Sequence, residues 1–322
     1  MRRLLAALAV GAFVAATSAC GSSDGSSGTS SASSGGTTTV KVGIIPILDV
    51  APLYLGQQQG IYKKHGLKLE MTPAQGGAAI VPAVVSGQLQ FGFSNMASLM
   101  LAQTNNVPVK AVVEGVNSTG VDGKDFGATV VKKGSPLSSA KDLEGKKVAV
   151  NTLKNINDTT VRESVREAGG DPSKVKLVEL AFDQMPAALD KGQVDAAFAV
   201  EPALTTIKEQ GGTEIASSYV DVAKDLTVAM YFTSQSYEQK NPETVKKFRE
   251  ATEESLKYAD GHPDEVRKVL TTYTKIPSAL LSKLTLPSWP AQANRASIEK
   301  LMKLGQQDGL YASEPDLDKL LP

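Results

Sequence analysis

Apolar positions along this chain exchange two periods in regular turn. Residues 38–45 alternate and are β-branched, which predicts a strand, and residues 51–65 keep a helical spacing that stops at Gly66. Residues 67–71 return to the strand period, residues 78–85 to the helical one. A short apolar run around Phe91, a helix over 96–103 and a strand over 107–115 follow. This alternation predicts a parallel, doubly wound α/β sheet. A polar, glycine-containing stretch at 117–125 suits a crossing, after which the pattern restarts. Strands are expected at 126–132, 147–151, 175–180 and 213–217, with helices at 138–145, 158–168, 184–191 and 202–210. Residues 226–233 read as a return strand. From Pro242 on the chain reads as helical (242–260, 263–273, 278–284 and 291–308), amphipathic and placed around the first lobe.

One passage occurs twice. Ser86-Gly87-Gln88-Leu89-Gln90-Phe91-Gly92-Phe93 is echoed by Lys191-Gly192-Gln193-Val194-Asp195-Ala196-Ala197-Phe198. Each copy follows an apolar helix containing a proline, Pro82 or Pro186, and leads into a helix start, at Ser94-Asn95 or Glu201-Pro202. A helix stopped by glycine, a short buried strand and a new helix N-terminus form the unit of an open α/β sheet. Ligands of such sheets sit at the carboxyl ends of the strands. Two copies therefore suggest two lobes facing each other across a cleft; chance similarity of two hairpins is the alternative.

The ends and the composition narrow the class. Arg2, Arg3 and the apolar run 4–16 form an export signal too short to span a bilayer. Thr17-Ser18-Ala19-Cys20 resembles a bacterial lipobox, with Cys20 as lipid anchor, although Thr17 stands where Leu is usual; an ordinary cleavage site is the alternative. Residues 20–39 are rich in Gly, Ser and Thr and read as a flexible tether reaching about 20–25 Å. Cys20 is the only cysteine, so the body has no disulfide and no thiolate chemistry. The balance of 34 basic against 34 acidic residues argues against nucleic acid and against a polybasic membrane patch.

The chain resembles the solute-binding lipoproteins of bacterial ABC importers, of the nitrate/sulfonate/taurine type related to thiamine-pyrimidine synthases. The residues that carry the resemblance are Val42-Gly43-Ile44-Ile45-Pro46, Ala51-Pro52-Leu53-Tyr54-Leu55-Gly56 and Gly60-Ile61-Tyr62-Lys63-Lys64-His65-Gly66-Leu67. Asp142-Leu143-Glu144-Gly145-Lys146-Lys147-Val148-Ala149 and Asp195-Ala196-Ala197-Phe198 with Glu201-Pro202 add to them. The resemblance implies a type II periplasmic-binding-protein fold: two doubly wound lobes joined by a two-stranded hinge, near 115–119 and 226–230. Lobe 1 would comprise 40–117 and 229–322, and lobe 2 would comprise 118–228. It also implies a small-molecule ligand, ABC permease and ATPase partners, a monomer lipid-anchored on the outer face of the cytoplasmic membrane, no enzymatic activity, no cofactor and no metal.

Strand-end loops supply the candidate ligand contacts. In lobe 1 these are Leu48, Asp49, Gly76, Gly77, Ala78, Ser94, Asn95 and Met96. In lobe 2 they are Asn151, Thr152, Leu153, Asn155, Asp183, Met185 and Glu201. Gly76 and Gly77 allow close backbone approach. Asp49, Ser94, Asn95 and Glu201 either cap the helices that follow or meet the ligand. Asp49, Asp183 and Glu201 against the single cation Lys154 favour a ligand with a donor or amine and a partly apolar body. The rival reading is an enzyme of thiamine-pyrimidine chemistry, but those lean on Cys or His. His65 and His262 read as structural, and no HExxH or GxSxG motif is present.

Overall fold

The computed structural model describes residues 36–322. The export signal and Cys20 lie outside the described residues, as does the tether up to Gly35. Ten strands are present: β1 (Thr38–Ile44), β2 (Leu67–Pro73), β3 (Phe91–Asn95), β4 (Val109–Asn117), β5 (Gly127–Val131), β6 (Lys147–Val150), β7 (Lys176–Glu179), β8 (Ala196–Val200), β9 (Thr213–Ala216) and β10 (Thr227–Ser234). β1 thus begins at Thr38, inside the stretch read as tether. The strands form two five-stranded sheets, in the orders β2-β1-β3-β10-β4 and β7-β6-β8-β5-β9.

The sheets are mixed, where the alternation of elements predicted parallel ones. β10 runs antiparallel to β3 and β4, and β5 runs antiparallel to β8 and β9. The reason lies in the connections. The parallel strands end at the cleft, so a chain that crosses from one sheet to the other enters its new sheet at the cleft edge and must run away from it. β5 and β10 are the two crossing strands. The crossings are joined where the Ser118 N–H donates to the Leu226 carbonyl at 2.9 Å. Asp125 braces the first crossing, accepting from Ser118 Oγ at 2.5 Å and from the Thr119 and Phe126 N–H groups at 3.0 and 2.9 Å.

The repeated passage occupies equivalent places, with β3 and β8 each beside the first parallel strand of its sheet. The Gln90 N–H donates to the Lys41 carbonyl at 3.0 Å and the Asp195 N–H to the Lys147 carbonyl at 2.9 Å. In return the Lys41 N–H donates to Gln90 Oε1 and the Lys147 N–H to Asp195 Oδ2, both at 2.8 Å. Gly87 and Gly192 end the preceding helices at φ of +81° and +66°, a region that costs side chains with a Cβ.

Two local differences from the sequence pattern have plain causes. The helix expected over 51–65 is interrupted: Gly60, at φ +73°, separates Ala51–Gln58 from Ile61–Lys64. The C-terminal tail packs on lobe 1 through Pro242–Gly261, with Phe248 stacked on Phe91 at 3.8 Å. Farther on it also ties to the second sheet's half. Lys283 pairs with Glu209 at 2.5 Å, and Asp308, at the end of helix Arg295–Gln307, pairs with Arg166 at 2.7 Å.

Candidate functional site

The carboxyl ends of both sheets meet along one seam, part of it polar and closed. Gln75 Nε2 donates to the Asn151 carbonyl at 2.7 Å, and Asn151 Nδ2 donates back to the Gln75 carbonyl at 3.2 Å. Behind Asn151 stands a cluster of short polar side chains at the start of helix Ile156–Glu167. Asn155 Nδ2 donates to Asn151 Oδ1 at 2.8 Å and to Thr152 Oγ1 at 2.7 Å, and Asn157 Nδ2 donates to Asn151 Oδ1 at 2.8 Å. Asn155 Oδ1 caps the helix by accepting from the Asn157 N–H at 2.8 Å. Asn157 is buried and its Oδ1 has no partner. It belongs to this cluster although the sequence pattern begins the helix after it.

Glycine makes the approach possible. A Cβ on Gly76 would lie 2.8 Å from Thr152 Cγ2 and 3.0 Å from Asn151 Nδ2. One on Gly77 would run into Ser94 Oγ, so the helix Gly77–Val85 sits directly on the end of β3. Asn95 caps helix Met96–Thr104, its Oδ1 accepting from the Ser98 N–H at 2.8 Å, and Met96 is fully buried. Ala78 and Leu153 are exposed.

Glu201 is buried and fully engaged. Its Oε1 accepts from Thr205 Oγ1 at 2.7 Å and from the Thr285 N–H at 3.1 Å, and its Oε2 accepts from the Thr205 N–H at 3.0 Å. It therefore holds its own helix and the C-terminal tail together. Its carbonyl accepts from the Leu48 N–H at 3.1 Å, a direct tie between the halves. Pro202 stands just before the helix Ala203–Glu209, which begins one position after the start that the sequence pattern gives it.

Beside the closed polar contact lies an open groove of about 660 Å³. Ile45, Pro46, Ile47, Pro73, Ala74 and Gln75 form one wall, and Ala181, Phe182, Asp183, Pro186, Ala187, Pro202 and Ala203 form the other. Thr206 and Gln210 extend the second wall, and Tyr273, Thr274, Lys275, Ile276 and Pro277 of the tail close one side. Tyr273 is a fixed wall: its ring stacks on Tyr54 at 3.9 Å and its hydroxyl donates to the Ile47 carbonyl at 3.0 Å. Of the residues named from the sequence, Asp183 lines this groove; Leu48, Gly76, Met185 and Glu201 stand directly next to lining residues in the chain. The strand-end rule leads to loops beside this groove, yet the lining falls mostly on their proline and aliphatic neighbours, which carry no obvious chemical signal.

Residues 48–266 match the NMT1/THI5-like family model. The chain belongs to the NMT1/THI5-like family. A protein of Brucella abortus, described only as a binding protein, is 26% identical over 269 residues, covering 82% of this chain and 79% of its own. The taurine-binding periplasmic protein of Escherichia coli is 25% identical over 202 residues, covering 63% and 61%. The 4-amino-5-hydroxymethyl-2-methylpyrimidine phosphate synthase of Aspergillus parasiticus is 21% identical over 225 residues, covering 66% and 64%. The fold matches that of the ligand-binding component of an ABC-type import system from Staphylococcus aureus, with a TM-score of 0.76 over 88% of this chain and 96% of that one, at 15% identity.

In this NMT1/THI5-like chain the titratable groups of the seam differ sharply in their partners. Asp49 is buried, Oδ1 has no partner, and desolvation lifts its carboxyl to about 7, with nearby Asp125 adding to the rise. Glu114, on β4, has neither oxygen partnered and is pushed by burial to about 8. Burial also raises Glu201, while its bonds to Thr205 and Thr285 oppose the rise. His65 binds Glu254 at 2.9 Å and His262 binds the Tyr258 carbonyl at 2.7 Å; neither lines the groove. Among the described residues no cluster of three or more His, Cys, Asp or Glu is placed to hold a metal ion, and no helix is long and apolar enough to cross a membrane.

Proposed function

We propose that this protein is the exported solute-binding component of an ABC importer. It would trap a small organic solute between its two lobes and deliver it to the permease and ATPase subunits. One observation carries the reading: two sheets of the same order, joined by paired crossings, end their parallel strands on one cleft with a groove of about 660 Å³. A groove of that size suits a small organic molecule. Hinge bending at the crossings, 115–119 and 226–230, would open and close it. Sulfonates, aromatic acids and amino- or pyrimidine-like compounds are the ligand classes to try first. The signal and Cys20 support export and a lipid anchor that keeps a monomeric body near its permease.

The pyrimidine synthase relative favours a second reading, an enzyme of the same fold. The engagement of both histidines away from the groove weighs against it. Calorimetric titration with a solute panel, with mass spectrometry of the recovered compound, separates the two. Binding with unchanged ligand supports the transport reading; a new product at catalytic protein concentration overturns it.

A further inference from the structure

We propose that the solute is a flat, uncharged molecule with a mainly apolar body, about the size of a bicyclic aromatic, held by contact rather than by recognition of an anionic group. This rests on the solute-binding role proposed above and narrows its ligand.

The first reason is what lines the groove. Five of its residues are prolines: Pro46, Pro73, Pro186, Pro202 and Pro277. A proline has no N–H, so at each of these places the wall cannot donate to an oxyanion. Ile45, Ile47 and Ile276 line it as well, and Phe182 and Tyr273 supply one aromatic face from each half. Its two charged side chains, Asp183 and Lys275, are both exposed, so the interior of the groove is neutral.

The second reason is what the helix N-termini already hold. Such N–H groups are the usual receptors for a compact anion. Here the Ser98 N–H is taken by Asn95 Oδ1, the Asn157 N–H by Asn155 Oδ1 and the Thr205 N–H by Glu201 Oε2. Gln75 and Asn151 likewise turn their amides to each other across the seam. Much of the polar half of the seam is taken by protein atoms, the uncapped start of helix Gly77–Val85 and Asn157 Oδ1 excepted, and the groove beside it is lined mainly by apolar residues. A rigid, proline-rich wall also loses little conformational entropy when a flat body packs on it.

The test is calorimetric titration of the folded body (residues 36–322) with quinoline, coumarin and indole in one arm and taurine, nitrate and sulfate in the other. X-ray scattering is recorded at the highest ligand concentration. At least one bicyclic is expected to bind about tenfold or more tightly than taurine, nitrate and sulfate, with compaction. Ala187→Trp, which fills the groove from an exposed position, should weaken that binding about tenfold or more with an unchanged circular dichroism spectrum. Thr206→Trp offers the same block from a neighbouring helix if the first variant loses its fold. Failure of every bicyclic to bind, or full binding by a folded, blocked variant, overturns the proposal. If taurine, nitrate or sulfate then compacts the protein, the solute-binding role survives; if no arm does, that role falls as well.

Discussion

The two copies of the repeated passage carry identical scaffolding and then part company at the cleft. In each half a glycine ends a helix, the chain turns, and Gln90 or Asp195 exchanges two hydrogen bonds with the first parallel strand. At the end of β3 the chain presents Ser94 and Asn95, neutral, with Asn95 capping the next helix. Beyond β8 it presents Glu201, a carboxylate with three hydrogen bonds that reach both its own helix and the tail. The acids of the first half are of the opposite kind: Asp49 has an unpartnered oxygen and Glu114 has two. Glu201 thus uses its buried carboxyl to hold the tail in place, whereas Asp49 and Glu114 lack such bonds and are lifted by burial. In the proposed role, a shared frame with divergent strand ends would let one architecture clamp a molecule whose two sides differ.

The strongest way to break this pairing is to hold the halves apart. Gly76→Val places methyl groups where Thr152 and Asn151 stand, against contacts already at 2.8 and 3.0 Å from a Cβ. Closure should be blocked, with ligand affinity falling by about 2–3 kcal/mol, roughly 30–150-fold, while the melting temperature changes little. Calorimetry beside a thermal melt checks this; undiminished affinity contradicts it.

The unpartnered acids make the next largest difference. Asp49 and Glu114 have folded-state pKa values of about 7 and 8, above their ordinary 3.8 and 4.5. The folded protein therefore keeps protons that the unfolded chain releases between about pH 4 and 8, and stability falls as pH rises through that window. At ~1.4 kcal/mol for each tenfold change in proton affinity, the two together set an upper bound of about 9 kcal/mol. Glu114→Gln keeps the shape without the charge, so it should raise the melting temperature at pH 8 more than at pH 5. Equal changes at both values would remove this contrast between the halves.

Smaller effects test the seam and the frame. Asn151→Ala leaves Asn155 and Asn157 short of an acceptor and should cost about 1–3 kcal/mol, read by denaturant unfolding. Gln90→Ala and Asp195→Ala each remove one matched bond and should cost about 0.5–1.5 kcal/mol, by similar amounts. A large inequality between the two would show that the copies do not share one role.

Much of the frame was legible in the sequence because it depends on period and punctuation. Strand and helix alternation, Gly87 and Gly192 as stops and the repeat itself are local patterns, and local patterns survive into the fold. The direction of β5 and β10 was not legible, because it follows from a crossing between sheets that no local window contains. The break at Gly60 was hidden for a related reason: apolar spacing continues through it, and a lone glycine inside a helical pattern has two readings. At the cleft, capping residues such as Asn95 and Asn155 stood out because their chemistry is visible. The groove lining did not, since Pro46, Pro186 and Ala187 look like ordinary punctuation and filler until two chain segments far apart in sequence are brought face to face. Asn157 could have been found: a fourth short polar side chain within seven residues of a buried strand end is an unusual density for a helix start.

Everything proposed for this protein depends on its two halves closing on a solute. Small-angle X-ray scattering of the ligand-free protein and of the protein saturated with its best-binding solute tests that closure most directly. A ligand-free form more extended than this structure is expected, with a saturated form whose scattering matches it; the same radius of gyration with and without bound solute would contradict closure.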